Sequence, residues 1–396
     1  MLTLENVIDA QNKLKNIVRE TDLVRAYGIA PHCELYLKPE NLQITGSFKV
    51  RGSAYKIAML SDEEKMKGVI ACSAGNHAQG VALAATKNGI PSLICLPDGA
   101  PISKVEATKG YGAEVCLVPG CYDDAYQKAL ELKDRKGYTF VHPFDDEYVI
   151  AGQGTIALEI LKDLDGIDAI VVPIGGGGLI SGIAYTAKQL KPSIKIYGVQ
   201  AAGAPSMYLS VKNGKIETLD SVYTIADGIA VKTPGKNTYK LIEEYVDDIA
   251  LVSDDEVASA ILALTEKQKM IAEGAGAVAV AAVMFDKFDL KGKRVVAVVS
   301  GGNIDVTSLS RVINRGLLNS GRCASLLIDL VDRPGELTKI AGIIGNLGGN
   351  VTCVQHERGD TESITGCFLR INMETRDFEH IQLIIKSIRD AGFKII

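Results

Sequence analysis

Tryptophan is absent from the 396 residues, and aromatics make up only 6% of them. That leaves little from which to build the stacking platforms that hold single-stranded nucleic acids. Positive charge is not in excess either. Lys and Arg number 43 against 48 Asp and Glu, a net charge of -5, whereas a nucleic-acid binder carries a basic footprint. Long apolar runs are missing too. The longest, near 275–285, falls far short of the roughly 20 residues a membrane-spanning helix needs. The opening stretch, with Glu5 and Asp9, is acidic where a secretory signal is basic. Nucleic acid and membrane are therefore not expected as partners, and a cytoplasmic location is.

The eight cysteines (33, 72, 95, 116, 121, 323, 353 and 367) are scattered and form no C-x-x-C pair. Free thiols in a reducing compartment are expected, not a disulfide framework. The five His show no pair at metal-ligand spacing, so no metal site is expected. What the chain does have is apolar bulk, 47% of residues, and length enough for two or three units.

From about 66 to 200, short apolar runs alternate with helical patterns. Strands are expected at 68–71, 91–96, 115–118, 138–141, 169–172 and 194–199. Helices are expected at 76–88, 122–136, 147–162 and 179–190, and the pattern returns with a helix at 254–269 and a strand at 294–299. Continuous apolar strands between helices predict an α/β fold with open parallel sheets covered on both faces. Residues 319–322 read as a linker. Beyond it come a strand at 325–331, a helix with apolar Leu337, Ile340, Ile344 and Leu347, a strand pair at 350–356 and 364–373, a helix at 377–391 and a strand at 393–396. That βαββαβ order is ferredoxin-like. The expected division is 1–321, with a smaller subdomain at about 53–150 inserted, and 322–396.

Four segments carry chemistry. Gly175-Gly176-Gly177-Gly178-Leu179 lies between a strand and a helix. Amides there point outward at a helix N-terminus and can hold a phosphate. It is neither a Walker A loop nor G-x-G-x-x-G. In Gly46-Ser47-Phe48-Lys49-Val50-Arg51-Gly52, Lys49 has apolar neighbours, which suits a lowered pKa and Schiff-base chemistry. Ser73-Ala74-Gly75-Asn76 opens a helix, and Ser300-Gly301-Gly302-Asn303 follows a strand. Loops at several strand ends of an open parallel sheet converge on one crevice.

Together, in this order, these segments resemble the pyridoxal-phosphate enzymes of the tryptophan-synthase-β type (fold type II), across about residues 5–315. The resemblance is strongest to the threonine ammonia-lyases, with serine racemases and β-replacement synthases sharing the fold. It implies pyridoxal 5'-phosphate as cofactor, and elimination of water from L-threonine, and from L-serine, to a 2-oxoacid and ammonia. Lys49 would carry the cofactor through its amine and act as the catalytic base. Phe48 would pack beside the ring, Asn76 would bond its phenolic oxygen, and Ser300 would face its nitrogen. Gly175 to Gly178 and Leu179 would cradle the phosphate. Ser73, Ala74 and Gly75 would meet the substrate carboxylate, and Glu273 matches a position near the ring. Ala74 stands where serine racemases carry Ser, which argues against racemisation. Asp332-Arg333-Pro334-Gly335 after a strand resembles the ACT regulatory domain. This implies allosteric control, an amino-acid or nucleotide effector at Asp332, Pro334, Gly335 and Leu337, and a homodimer or homotetramer. The pathway implied is isoleucine biosynthesis or threonine catabolism. A non-catalytic amino-acid sensor is the reading from another class.

Overall fold

A computed structural model describes residues 2–357 and 366–396. The chain divides into two compact units, 1–309 and 310–396. The division falls within the helix Val306–Asn319, and residues 320–322 form the turn from that helix into the strand that begins at Cys323.

The first unit contains ten strands: β1 (Val24–Arg25), β2 (Glu34–Pro39), β3 (Val69–Cys72), β4 (Ser92–Pro97), β5 (Glu114–Val118), β6 (Thr139–Phe140), β7 (Ala169–Pro173), β8 (Lys195–Ala201), β9 (Asp248–Val252) and β10 (Arg294–Val299). They form two sheets. The larger has the order β1-β2-β10-β7-β8-β9 and the smaller β5-β4-β3-β6. Only β1 runs antiparallel to its neighbour. The smaller sheet lies wholly within the stretch 53–150 expected as a subdomain. Its core is Ile70, Cys72, Leu93 and Cys95 against Ala125, Ala129 and Leu132 of the helix Tyr122–Lys136. The larger sheet buries Ile170, Val172, Ile196, Val296 and Val298 against Ile180, Ile183 and Ala187 of the helix Gly178–Leu190. Central strands buried on both faces are apolar throughout, which is why their sequence runs are continuous.

The helix Gly274–Met284 is apolar on every side and almost wholly buried, as a helix without a polar face must be. The helix expected at 254–269 ends at Ala263, and Leu264–Gln268 winds as a π-helical turn. Lys269, at φ 58°, closes it through an N–H bond to the Leu264 carbonyl.

The second unit is β11 (Cys323–Val331), a helix Glu336–Asn346, β12 (Asn350–Glu357), β13 (Gly366–Glu374), a helix Phe378–Asp390 and β14 (Lys394–Ile395). Sheet order β12-β13-β11-β14 completes the ferredoxin-like topology. Residues 364 and 365 of the expected strand lie outside the described residues. Alternation along β13 buries Cys367, Leu369, Ile371 and Met373 against Ile340, Ile344, Ile384 and Ile388 of the two helices.

Candidate active site

Each chemistry-bearing loop of the first unit leaves the carboxyl end of a strand. Ser73 to Gly75 follow β3, Gly175 to Gly178 follow β7, and Ser300 follows β10. Lys49 follows β2 after a short turn and opens the helix Lys49–Ala58. Backbone contacts draw these loops together. The Phe48 N–H donates to the Ser300 carbonyl at 3.1 Å, the Gly302 N–H to Gly46 at 2.9 Å and the Glu273 N–H to Gly301 at 3.1 Å.

The Lys49 ammonium is buried, which pushes its pKa down to about 8 against the opposing pull of Glu273. Its Nζ lies 5.3 Å from the centre of the Phe48 ring and donates to the Pro143 carbonyl at 2.8 Å. Asn76 donates from Nδ2 to Glu273 Oε1 at 2.6 Å and accepts from Asn303 Nδ2 at 2.8 Å. Burial, with Asp227 nearby, pushes the Glu273 carboxyl up to about 7. Ser300 Oγ is buried and donates to the Ala275 carbonyl at 3.2 Å. Ser73 does not cap the helix that follows. Gly75 is its N-cap, and Ser73 Oγ accepts from the Gly75 N–H at 3.1 Å. The short loop is thus held by its own hydroxyl, with Ala74 between.

Gly177 caps the helix Gly178–Leu190 in the left-handed region, at φ 100°. The first-turn amides of that helix, Leu179 among them, have no acceptor within it. The Leu179 side chain is buried in the larger sheet's core, so only its backbone is available to a ligand. A Cβ on Gly176 would collide with the Phe144 ring, and one on Gly178 would sit 2.9 Å from the Phe144 Cα.

Sequence reasoning missed the segment 142–145 that fills this space. Burial holds the His142 imidazole below its usual pKa. Its Nδ1 accepts from the N–H groups of Phe144 at 3.3 Å and Asp145 at 2.8 Å. The Asp145 carboxylate accepts from the amides of Lys236, Asn237 and Thr238 at 3.0, 2.9 and 3.1 Å. Pro143 and Phe144 therefore join the lysine to the glycine loop. The available signal was a polar His-Pro-Phe-Asp-Asp run directly after an apolar strand.

The arrangement fits a cofactor bearing an aldehyde and a phosphate. It offers a buried amine of depressed pKa and, across the Phe144 bridge, a glycine turn with outward amides. Residues 14–301 match the family model described as pyridoxal-phosphate dependent enzyme. The chain belongs to that family. Among pyridoxal-phosphate dependent enzymes it is 48% identical to an L-threonine ammonia-lyase of Thermotoga maritima, over 100% of this chain and 99% of that one. It is 44% identical to a catabolic L-threonine dehydratase of Escherichia coli, over 78% of this chain and 96% of that one. A solved threonine deaminase of Solanum lycopersicum matches with a TM-score of 0.76 at 38% identity, over 78% of this chain and 92% of that one. A maize serine racemase matches with a TM-score of 0.75 at 36% identity, over 80% of this chain and 98% of that one.

The residues expected for an effector lie in the second unit. Asp332, Pro334 and Gly335 are exposed on the turn between β11 and the helix Glu336–Asn346, and Leu337 is exposed within that helix. Gly335, at φ 93°, is the helix N-cap. No helix among the described residues is long and apolar enough to cross a membrane, and none of the eight cysteines is in a disulfide.

Proposed function

We propose that the chain is a threonine ammonia-lyase, which removes water from L-threonine by β-elimination and then releases ammonia as the resulting imine takes up water, giving 2-oxobutanoate, and pyruvate from L-serine. The observation that carries this is the buried Lys49 amine, with its pKa depressed to about 8, between Phe48 and Pro143. When bound there, pyridoxal phosphate supplies an aldehyde that captures amines and a conjugated ring that takes up charge from Cα. Lys49 Nζ would hold the cofactor's aldehyde and, as a free amine at the same position, would take the Cα proton of the substrate. The lowered pKa gives a larger share of neutral amine near pH 7 than an ordinary lysine would have, and only the neutral amine acts as a base. Gly175 to Gly178 and Leu179 present amides to the phosphate. The Ser73–Ala74–Gly75 loop receives the substrate carboxylate. Asn76 bonds the ring's phenolic oxygen, and Glu273 holds the Asn76 amide in place. Ser300 would face the ring nitrogen with a neutral hydroxyl instead of a carboxylate, which would leave the ring a weaker electron sink and favour elimination. Ala74 provides no second-face proton donor, which separates this site from a racemase.

The second unit is read as an ACT regulatory domain, with an amino-acid or nucleotide effector at Asp332, Pro334, Gly335 and Leu337. A homodimer or homotetramer and a cytoplasmic location complete the proposal. The test is a 2-oxoacid assay of the holoenzyme with L-threonine and L-serine, repeated with isoleucine, valine and nucleotides. Formation of 2-oxobutanoate that is abolished in Lys49→Ala is expected. No 2-oxoacid from either substrate overturns the reading.

A further inference from the structure

At one rim of the second unit's sheet, the apolar face ends in ligand-bearing side chains. Leu330 pairs with Cys367, and His356 pairs with Leu369. Directly opposed residues of an antiparallel pair share a face. Cys367 and His356 therefore point to the side on which Leu330, Leu369 and Ile371 meet the helices. Asp332 stands two residues beyond Leu330, where alternation gives the same side. Carboxylate, imidazole and thiol arrive from three segments, with all three ligand atoms within 4.8 Å of one another. His356 Nε2 is 2.9 Å from Cys367 Sγ and 3.8 Å from Asp332 Oδ1. A tetrahedral zinc with bonds of about 2.0–2.3 Å keeps neighbouring donors about 3.3–3.6 Å apart. The two His356 separations lie within about 1 Å of those values, within reach of side-chain rotation.

We propose that Asp332, His356 and Cys367 bind one Zn2+ ion, with water as the fourth ligand. A thiolate and an imidazole in the donor set favour zinc over magnesium or calcium, which take all-oxygen sites. The thiol gives up its proton on binding, so affinity rises with pH. Cys367 forms the buried floor, while His356 and Asp332 are each 34% exposed at the mouth, so the ion enters from solvent. Bound there, it ties the outer strand β12, exposed over most of its length, to β13 and to the end of β11. The site lies within residues 310–396 and does not depend on the reaction assigned to residues 1–309.

The test uses the full-length holoenzyme, loaded with zinc and dialysed against metal-free buffer. Metal is counted by elemental mass spectrometry in the wild type and in Cys367→Ser, His356→Asn and Asp332→Asn. About one zinc per chain is expected in the wild type, with affinity weakened about tenfold or more in each variant. Cobalt substitution is expected to give the visible bands of tetrahedral thiolate coordination, absent from Cys367→Ser. His356 lies at the open mouth, so His356→Asn keeps the test valid should the core variant Cys367→Ser fail to fold. A wild type that retains no zinc overturns the proposal. So does retention undiminished in His356→Asn, which would place the ion elsewhere.

Discussion

The Arg51 guanidinium meets the Glu159 carboxylate at 2.5 Å in a setting almost closed to solvent. Glu40 accepts from the other side of the same guanidinium at 2.8 Å, and Lys38 reaches Glu159 at 2.6 Å. Arg51 lies one helical half-turn beyond Lys49, so this balanced cluster of two cations and two carboxylates anchors the helix that carries the reactive amine. Removing one member of a buried pair strands the other charge, at about 3–5 kcal/mol. Arg51→Ala is therefore expected to lower the unfolding free energy by that amount in urea titration. A change under about 1 kcal/mol would show that the cluster contributes nothing to stability.

The glycine turn makes a separate prediction. At Gly177 the backbone is left-handed, and an added Cβ would lie 2.8 Å from the Thr238 Cβ. At Gly176 it would strike Phe144. Gly177→Ala and Gly176→Ala are expected to weaken pyridoxal-phosphate retention about tenfold or more, measured by equilibrium dialysis. Gly214 is also left-handed, at φ 66°, but has open space around it. Gly214→Ala then costs about 1 kcal/mol of stability from the backbone alone and leaves retention intact.

The depressed pKa of Lys49 sets the pH dependence of cofactor capture. Only the neutral amine attacks an aldehyde. With the amine at about pH 8, capture by the apoprotein should accelerate as pH rises through about 8 and level off above it. Stopped-flow absorbance reads this directly. Acceleration continuing to pH 10.5 would mean an unperturbed lysine.

Glu273 titrates under opposing neighbours. Burial and Asp227 raise its pKa, while Lys104 lowers it. Lys104 and Asp227 also pair with each other at 2.9 Å, with side chains 21% and 64% exposed, so salt weakens their influence. In the apoprotein, Asp227→Asn is expected to lower the Glu273 pKa and Lys104→Ala to raise it. The carboxyl carbon resonance missing from Glu273→Gln identifies the group. Shifts in the same direction would contradict the assignment. Stability follows by linkage. The folded pKa of about 7 exceeds the ordinary glutamate value of 4.5, so the folded state holds the extra proton between those values, and stability falls as pH rises through that window. Glu273→Gln should therefore gain on the wild type from pH 5 to pH 8 in thermal unfolding.

The alternation of apolar strands with helices, the glycine turn, the motif lysine and the βαββαβ order at the end of the chain were all legible in the sequence. Each is written in a few adjacent residues, through periodicity, capping or turn chemistry, and survives without knowledge of the rest. The order of the strands within each sheet was not. Strand β2 pairs with β10 through partners such as Glu34 and Arg294, and no local pattern records so distant a pairing. For the same reason, only the tertiary structure assembled Lys38, Glu40, Arg51 and Glu159, set Pro143 against Lys49, and brought Asp332, His356 and Cys367 within reach of one ion. Spacing along the chain showed no metal pair because these ligands come from three different segments. Side-chain clusters are decided by strand register and crossover, which depend on the packing of the whole unit rather than on any window of sequence.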